Sequence, residues 1–108
     1  MNIKEISVEE LKNLNNSGLS LLQFYATWCG PCKLLKLEIN KLLEENSELN
    51  VLQFDIDKDI ELARSFGIKG VPALFLLKDN EILGSQGGFI PKNAIEDWIH
   101  SKLEFEGK

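Results

Sequence analysis

Leu19-Ser20-Leu21-Leu22-Gln23-Phe24-Tyr25-Ala26 runs into Thr27-Trp28-Cys29-Gly30-Pro31-Cys32-Lys33, and this stretch decides the fold. Its first half is mostly apolar and predicts a buried strand. From Gly30 the pattern changes to a helical period, which predicts a long helix over 30–45. Pro31 fits the first helical turn, because its missing N–H has no helical partner there. A strand therefore feeds directly into a helix, with two cysteines at the junction.

Outward from that junction, Val51 to Ile56 predicts a second strand, and Asp59 to Phe66 a short helix. Gly67 suits a left-handed cap at its end. Val71 to Leu77 predicts a third buried strand, and Asp79-Asn80 a hairpin turn, since both residues tolerate positive φ. Ile82 to Gln86 is the returning strand. Pro91 opens a last helix, with Ile95, Trp98, Ile99 and Leu103 at helical spacing. Upstream, Ser7 and Glu10 form a capping box, with Ile6 and Leu11 at the staple positions. Val8, Leu11 and Leu14 give that helix its apolar face, and Asn15 to Gly18 end it. Strands alternating with helices predict an α/β layer with helices on both faces.

The chain has 108 residues, enough for one domain. At that length roughly 65% of the unfolded surface can be buried, so a core forms without staples. Twelve Lys and Arg against 17 Asp and Glu give a net charge of −5. Basic residues this scattered build no patch for nucleic acid or for an anionic membrane. The longest nearly apolar run, Val71 to Leu77, is far short of a membrane span. The first ten residues carry Lys4, Glu5, Glu9 and Glu10, so no retained secretory signal is expected. Two cysteines exclude a scaffold held by many disulfides.

Cys29 and Cys32 carry the chemistry. Residues at i and i+3 in a first helical turn have Cβ atoms about 5–6 Å apart, within reach of a disulfide after small adjustments. The unpaired N–H groups and the positive end of the helix dipole favour an anion on Cys29. A thiolate is the nucleophile of disulfide exchange. With about 100° per residue and Cys32 at zero, Leu35, Ile39, Leu42 and Leu43 bracket Cys32. The expectation is an interior Cys32 that resolves a mixed disulfide, and a solvent-accessible Cys29 that attacks. Leu34 and Leu37 fall off this stripe, and spacing leaves their surroundings open. Half a zinc site is the competing chemistry, but zinc takes four ligands, no other cysteine exists, and the one histidine, His100, sits on the last helix. No metal is expected; His100 reads as a surface residue and Trp98 as core.

Trp28-Cys29-Gly30-Pro31-Cys32-Lys33 resembles the active-site motif of the thioredoxin family, a standard example of such a dithiol. Phe24, Ala26, Ile56-Asp57, Gly70-Val71-Pro72 and Gly88 extend the resemblance over nearly the whole chain. It implies a thioredoxin fold, α/β, with a five-stranded mixed sheet flanked by four helices in a single domain over 1–108. It implies reduction of protein disulfides in the cytoplasm, with no cofactor beyond the dithiol, and recharging by a thioredoxin reductase. A monomer is the default expectation. By position, Pro72 is the cis proline beside the disulfide, and Val71 offers backbone hydrogen bonds to an extended substrate. Trp28, Gly30, Pro31, Val71, Pro72 and Gly88 form the docking surface; for Phe89, docking and core remain equally open.

Three positions depart from the family. Gln23 stands where many members carry a buried aspartate, Gln53 where many carry its lysine partner, and Leu37 where a proline commonly kinks the helix. The two glutamines are expected to hydrogen-bond across adjacent parallel strands, replacing an ion pair whose desolvation cost can match its Coulomb gain. A glutamine cannot take the Cys32 proton as a carboxylate can. Water or the departing substrate thiolate is the expected acceptor. The alternatives are an oxidase or isomerase of an oxidising compartment, a binding module with an incidental dithiol, and a dedicated redox partner with weak general reductase activity.

Overall fold

The alternation of side chains along each strand decides which residues meet which helix. The computed structural model describes residues 3–5, 19–46, 49–79 and 81–106. It gives β1 (Ile3–Glu5), β2 (Leu19–Tyr25), α1 (Gly30–Glu45), β3 (Asn50–Asp55), α2 (Ile60–Ser65), β4 (Ala73–Lys78), β5 (Glu81–Gly87) and α3 (Lys92–Glu106). The five strands form one sheet in the order β1-β3-β2-β4-β5. β3 runs parallel to β1 and β2, while β4 runs antiparallel to β2 and β5, so the sheet is mixed. Three helices lie among the described residues. The fourth, expected around Val8 to Leu14, falls outside them.

On one face Leu21, Val51, Leu74 and Leu76 pack against Leu35, Ile39, Leu42 and Leu43 of α1 and against Ile95, Trp98 and Ile99 of α3. On the other face Leu22, Phe24, Leu52, Phe54 and Leu77 pack against Leu62 and Ala63 of α2. Phe24 is the hub there: its ring lies 5.5 Å from Phe54, 5.2 Å from Phe66 and 5.7 Å from Phe75, centre to centre. Such pairs add about 0.5–1.5 kcal/mol each beyond burial. The phase that puts Leu21 and Val51 under α1 also puts Gln23 and Gln53 there.

Element ends follow local chemistry. Gly67, at φ +69°, ends the segment after α2 in the left-handed region. Asp79 turns the β4–β5 hairpin at φ +51°. β4 starts at Ala73 rather than Val71, because Pro72 has no N–H to give a ladder. The β4–β5 pairing slips by one residue between Leu76 and Leu77.

Glu38 joins α1 to α3. Its Oε1 accepts the backbone N–H of Lys92 at 2.8 Å, and its Oε2 meets Lys41 at 3.0 Å. Lys92 also pairs with Glu45 and lies 3.9 Å from Glu96. The Lys92 N–H, and then Lys41, hold the Glu38 carboxyl below its ordinary value of 4.5. A carboxyl lowered on folding stabilises the fold above its unfolded pKa and stops doing so as pH falls through the folded value. Urea midpoints should therefore fall on acidification below pH 4.5, and Glu38→Gln should flatten that part of the profile.

Candidate active site

Ala26 directly follows β2, and its carbonyl accepts the Cys29 N–H at 3.1 Å, which closes the turn into α1. Cys29 is extended, at φ −91° and ψ 108°, and is the N-cap of α1. Its Sγ accepts the backbone N–H of Cys32 at 3.1 Å. A sulfur thus fills the place of the usual hydroxyl or carboxylate cap, satisfying one of the helix's unpaired donors. Pro31 lies in the first turn. Cys29 and Cys32 are joined by a disulfide with Cα atoms 5.3 Å apart, inside the range a bridge permits.

The exposure expected from helical phase needs correction. Cys29 is 4% exposed and Cys32 3%, so both are buried. In the bridged form the two sulfurs form one small cluster with Ala26, and Tyr25, Ile56 and Val71 pack on it. What separates the cysteines is electrostatic: Cys29 faces the amide at the positive end of α1. Cys32 continues the helical stripe of Leu35 and Ile39.

Gln23 and Gln53 are register partners on β2 and β3, and both are buried. Gln53 Nε2 donates to Gln23 Oε1 at 2.8 Å. Gln23 Nε2 donates in turn to the Cys32 carbonyl at 3.4 Å, a long bond. One chain of neutral amides therefore links β3, β2 and α1 under the disulfide.

The Val71-Pro72 bond is cis. Gly88, at φ +82°, donates its N–H to the Pro72 carbonyl at 2.9 Å, which fixes the start of the segment before α3 against the proline loop. Val71 and Gly88 are half-buried, Pro72 is buried, and Gly30 and Pro31 are exposed. Trp28 is 69% exposed and Phe89 44%, so Phe89 belongs to the surface rather than the core. Leu34 and Leu37 are exposed as well, while Trp98 is core and His100 lies on the surface. A groove beside the disulfide is lined by Trp28, Ile56, Ile60, Arg64, Lys69 and Val71. Among the described residues no cluster of His, Cys, Asp and Glu is placed to hold a metal. No helix among them is long and apolar enough to cross a membrane.

Spacing had singled out no partner for Trp28. Its indole Nε1 donates to Asp57 Oδ2 at 2.9 Å, which ties the exposed ring to the end of β3. Asp57 is held through its own N–H, which donates to Asp55 Oδ1 at 2.9 Å. The signals in the sequence are an acidic residue just past a strand and the place of Ile56-Asp57 in the family resemblance, neither of which names Trp28 as the partner.

The thioredoxin family model matches residues 4–101. The chain belongs to the thioredoxin family. A thioredoxin of Listeria monocytogenes is 33% identical over 99 residues, covering 91% of this chain and 96% of that one. A Bacillus subtilis thioredoxin is 34% identical over 89 residues, covering 82% and 86%. Chloroplastic thioredoxin z superposes with a TM-score of 0.84 at 26% identity, over 96% of both chains. A thioredoxin variant from Halobacterium salinarum also gives 0.84, at 31% identity, over 94% and 90%. With its paired cysteines at the family's position, the chain is a thiol–disulfide oxidoreductase of the thioredoxin fold.

Removing one glutamine strands a buried partner. Gln23→Leu should cost about 1–3 kcal/mol. Adding Gln53→Leu should return part of that loss, since replacing both polar partners can be near neutral. Urea denaturation of the wild type, the single variants and the double variant measures the coupling; strictly additive costs would mean that the amide bond contributes nothing.

Proposed function

We propose that the chain works as a reductant of protein disulfides, with Cys29 as nucleophile and Cys32 as resolving thiol. The observation that carries this reading is the seat of Cys29 Sγ at the start of α1, accepting the Cys32 N–H. A thiolate there keeps the same amide and the same dipole, so ionisation is favoured. Cys29 attacks a substrate sulfur and forms a mixed disulfide. Cys32 then attacks Cys29, and the electron pair of the broken bond leaves on the second substrate thiolate.

Trp28, Gly30, Pro31, Val71, Pro72 and Gly88 surround the reacting sulfurs and present a weakly polar surface. Val71 lies outside the β4 ladder, so its backbone suits an extended substrate segment. Gln23 and Gln53 support the floor. The cysteine pair is itself the redox group, without a bound cofactor or metal. A thioredoxin reductase would return the disulfide to the dithiol in the cytoplasm, and the working unit is a monomer. The Gly-Pro dipeptide of the motif supports the reducing direction over oxidation or isomerisation.

Insulin-disulfide reduction tests this. The wild type should precipitate insulin chains with dithiothreitol as electron source, and Cys29→Ser should abolish the acceleration. Cys32→Ser should accumulate mixed disulfides with client proteins. Equal activity in wild type and Cys29→Ser, or none in either, would point to a binding module. A redox poise well above that of glutathione would point to an oxidase, since about 30 mV is a tenfold change in equilibrium.

A further inference from the structure

A crevice lies beneath the disulfide, where the first turns of α1 meet the ends of β2 and β3. Gln23 and Gln53 line its floor, Cys32 and Tyr25 its sides, and Lys33 and Lys36 its lip. Both lysines are exposed, so the crevice opens to solvent. The floor is neutral, because carboxamides carry no charge, and the two hydrogen-bond to each other and to the Cys32 carbonyl. A carboxamide does not accept a thiol proton at ordinary pH.

Among the described residues the other titratable groups around Cys32 are few. On β3, buried Asp55 is occupied by the Asp57 N–H and does not line the crevice. Asp57 holds the Trp28 indole. On β1, Glu5 is the register partner of Gln53. α3 meets α1 further along, through Glu38 and Glu45. Lys69 lines the groove that also holds Trp28.

The lysines stand out on two grounds. Lys36 is four residues from Cys32, which places both on one helical face. The charges of α1 also oppose its dipole: its first turn has no acidic residue and its last no basic one. Glu45, at the far end, is paired with Lys92. Neither Lys33 nor Lys36 has an ion-pair partner among the described residues.

We infer that the crevice is the route by which the Cys32 thiol gives its proton to solvent water, and that Lys36 is a positioning residue favouring the thiolate so formed. This rests on the dithiol reading above. The proton passes to water. The Cys32 sulfur forms a bond to Cys29 Sγ as the bond from Cys29 to the substrate breaks. The electron pair leaves on the substrate sulfur, which takes a proton from solvent. The substrate gains two electrons and the cysteine pair loses two.

The Cys29→Ser variant leaves Cys32 as the sole thiol, and the ultraviolet absorbance of its thiolate can be titrated. A single ionisation is expected. Lys36→Glu in that background should raise its midpoint by roughly half a pH unit, as expected when a favourable charge neighbour becomes unfavourable. With both cysteines present, Ellman's reagent releases one thionitrobenzoate at Cys29 attack and a second at Cys32 resolution. Lys36→Glu should slow the second release roughly threefold below the midpoint. An unmoved midpoint and rate would overturn the inference. So would a two-step titration that becomes one-step in Asp55→Asn or Glu5→Gln, because a carboxylate would then hold the proton; if Asp55→Asn does not fold, a two-step curve in the Cys29→Ser background is itself sufficient. Normal insulin reduction with an unmoved titration defeats this inference alone, whereas absent reduction by the wild type defeats the dithiol reading.

Discussion

The active site depends on how β2 hands the chain to α1. The Cys29 N–H closes the turn onto Ala26, and Cys29 Sγ receives the Cys32 amide in the first turn of the helix. One residue therefore closes the turn, caps the helix and supplies the sulfur. Capping contributes about 1 kcal/mol in ordinary helices, so the reactive atom belongs to the fold's own hydrogen bonding. The cysteine four positions from Lys36 is fixed by the same turn, and the sheet beneath supports both.

That support is unusual in its chemistry. Two buried carboxamides stand at the register position where an ion pair would have to offset desolvation. Amides need no counter-charge, but each still requires its hydrogen bond, and the chain from Gln53 through Gln23 to Cys32 supplies it. Apolar packing on both faces of the sheet holds the two strands in register, and register brings the amides together.

Strong periodic signals and short motifs were legible in the sequence. The bounds of α1 and the left-handed Gly67 followed from helical period and glycine chemistry. β1 did not, because three residues at a sheet edge carry no period of their own; only the family resemblance implied a fifth strand. The burial of Cys29 was missed because helical phase says nothing about the loops that fold over a helix's start, and Ile56 and Val71 come from 27 and 42 positions downstream. The bond from Trp28 to Asp57 was hidden for the same reason, since it joins residues 29 apart in the chain. The exposure of Leu34 and Leu37 follows from the helical phase that excluded them from the stripe.

The one-residue slip between β4 and β5 bears on self-association. β5 is an outer strand of the sheet, and Glu81 and Ile82 at its start are both exposed. An irregular outer ladder twists locally and makes a poor template for a second copy, and a charged side chain on the same margin adds repulsion. The margin of the sheet at β5 is thus unattractive to a second copy of the chain, so edge-to-edge stacking is disfavoured by the same slip that interrupts the hairpin's pairing.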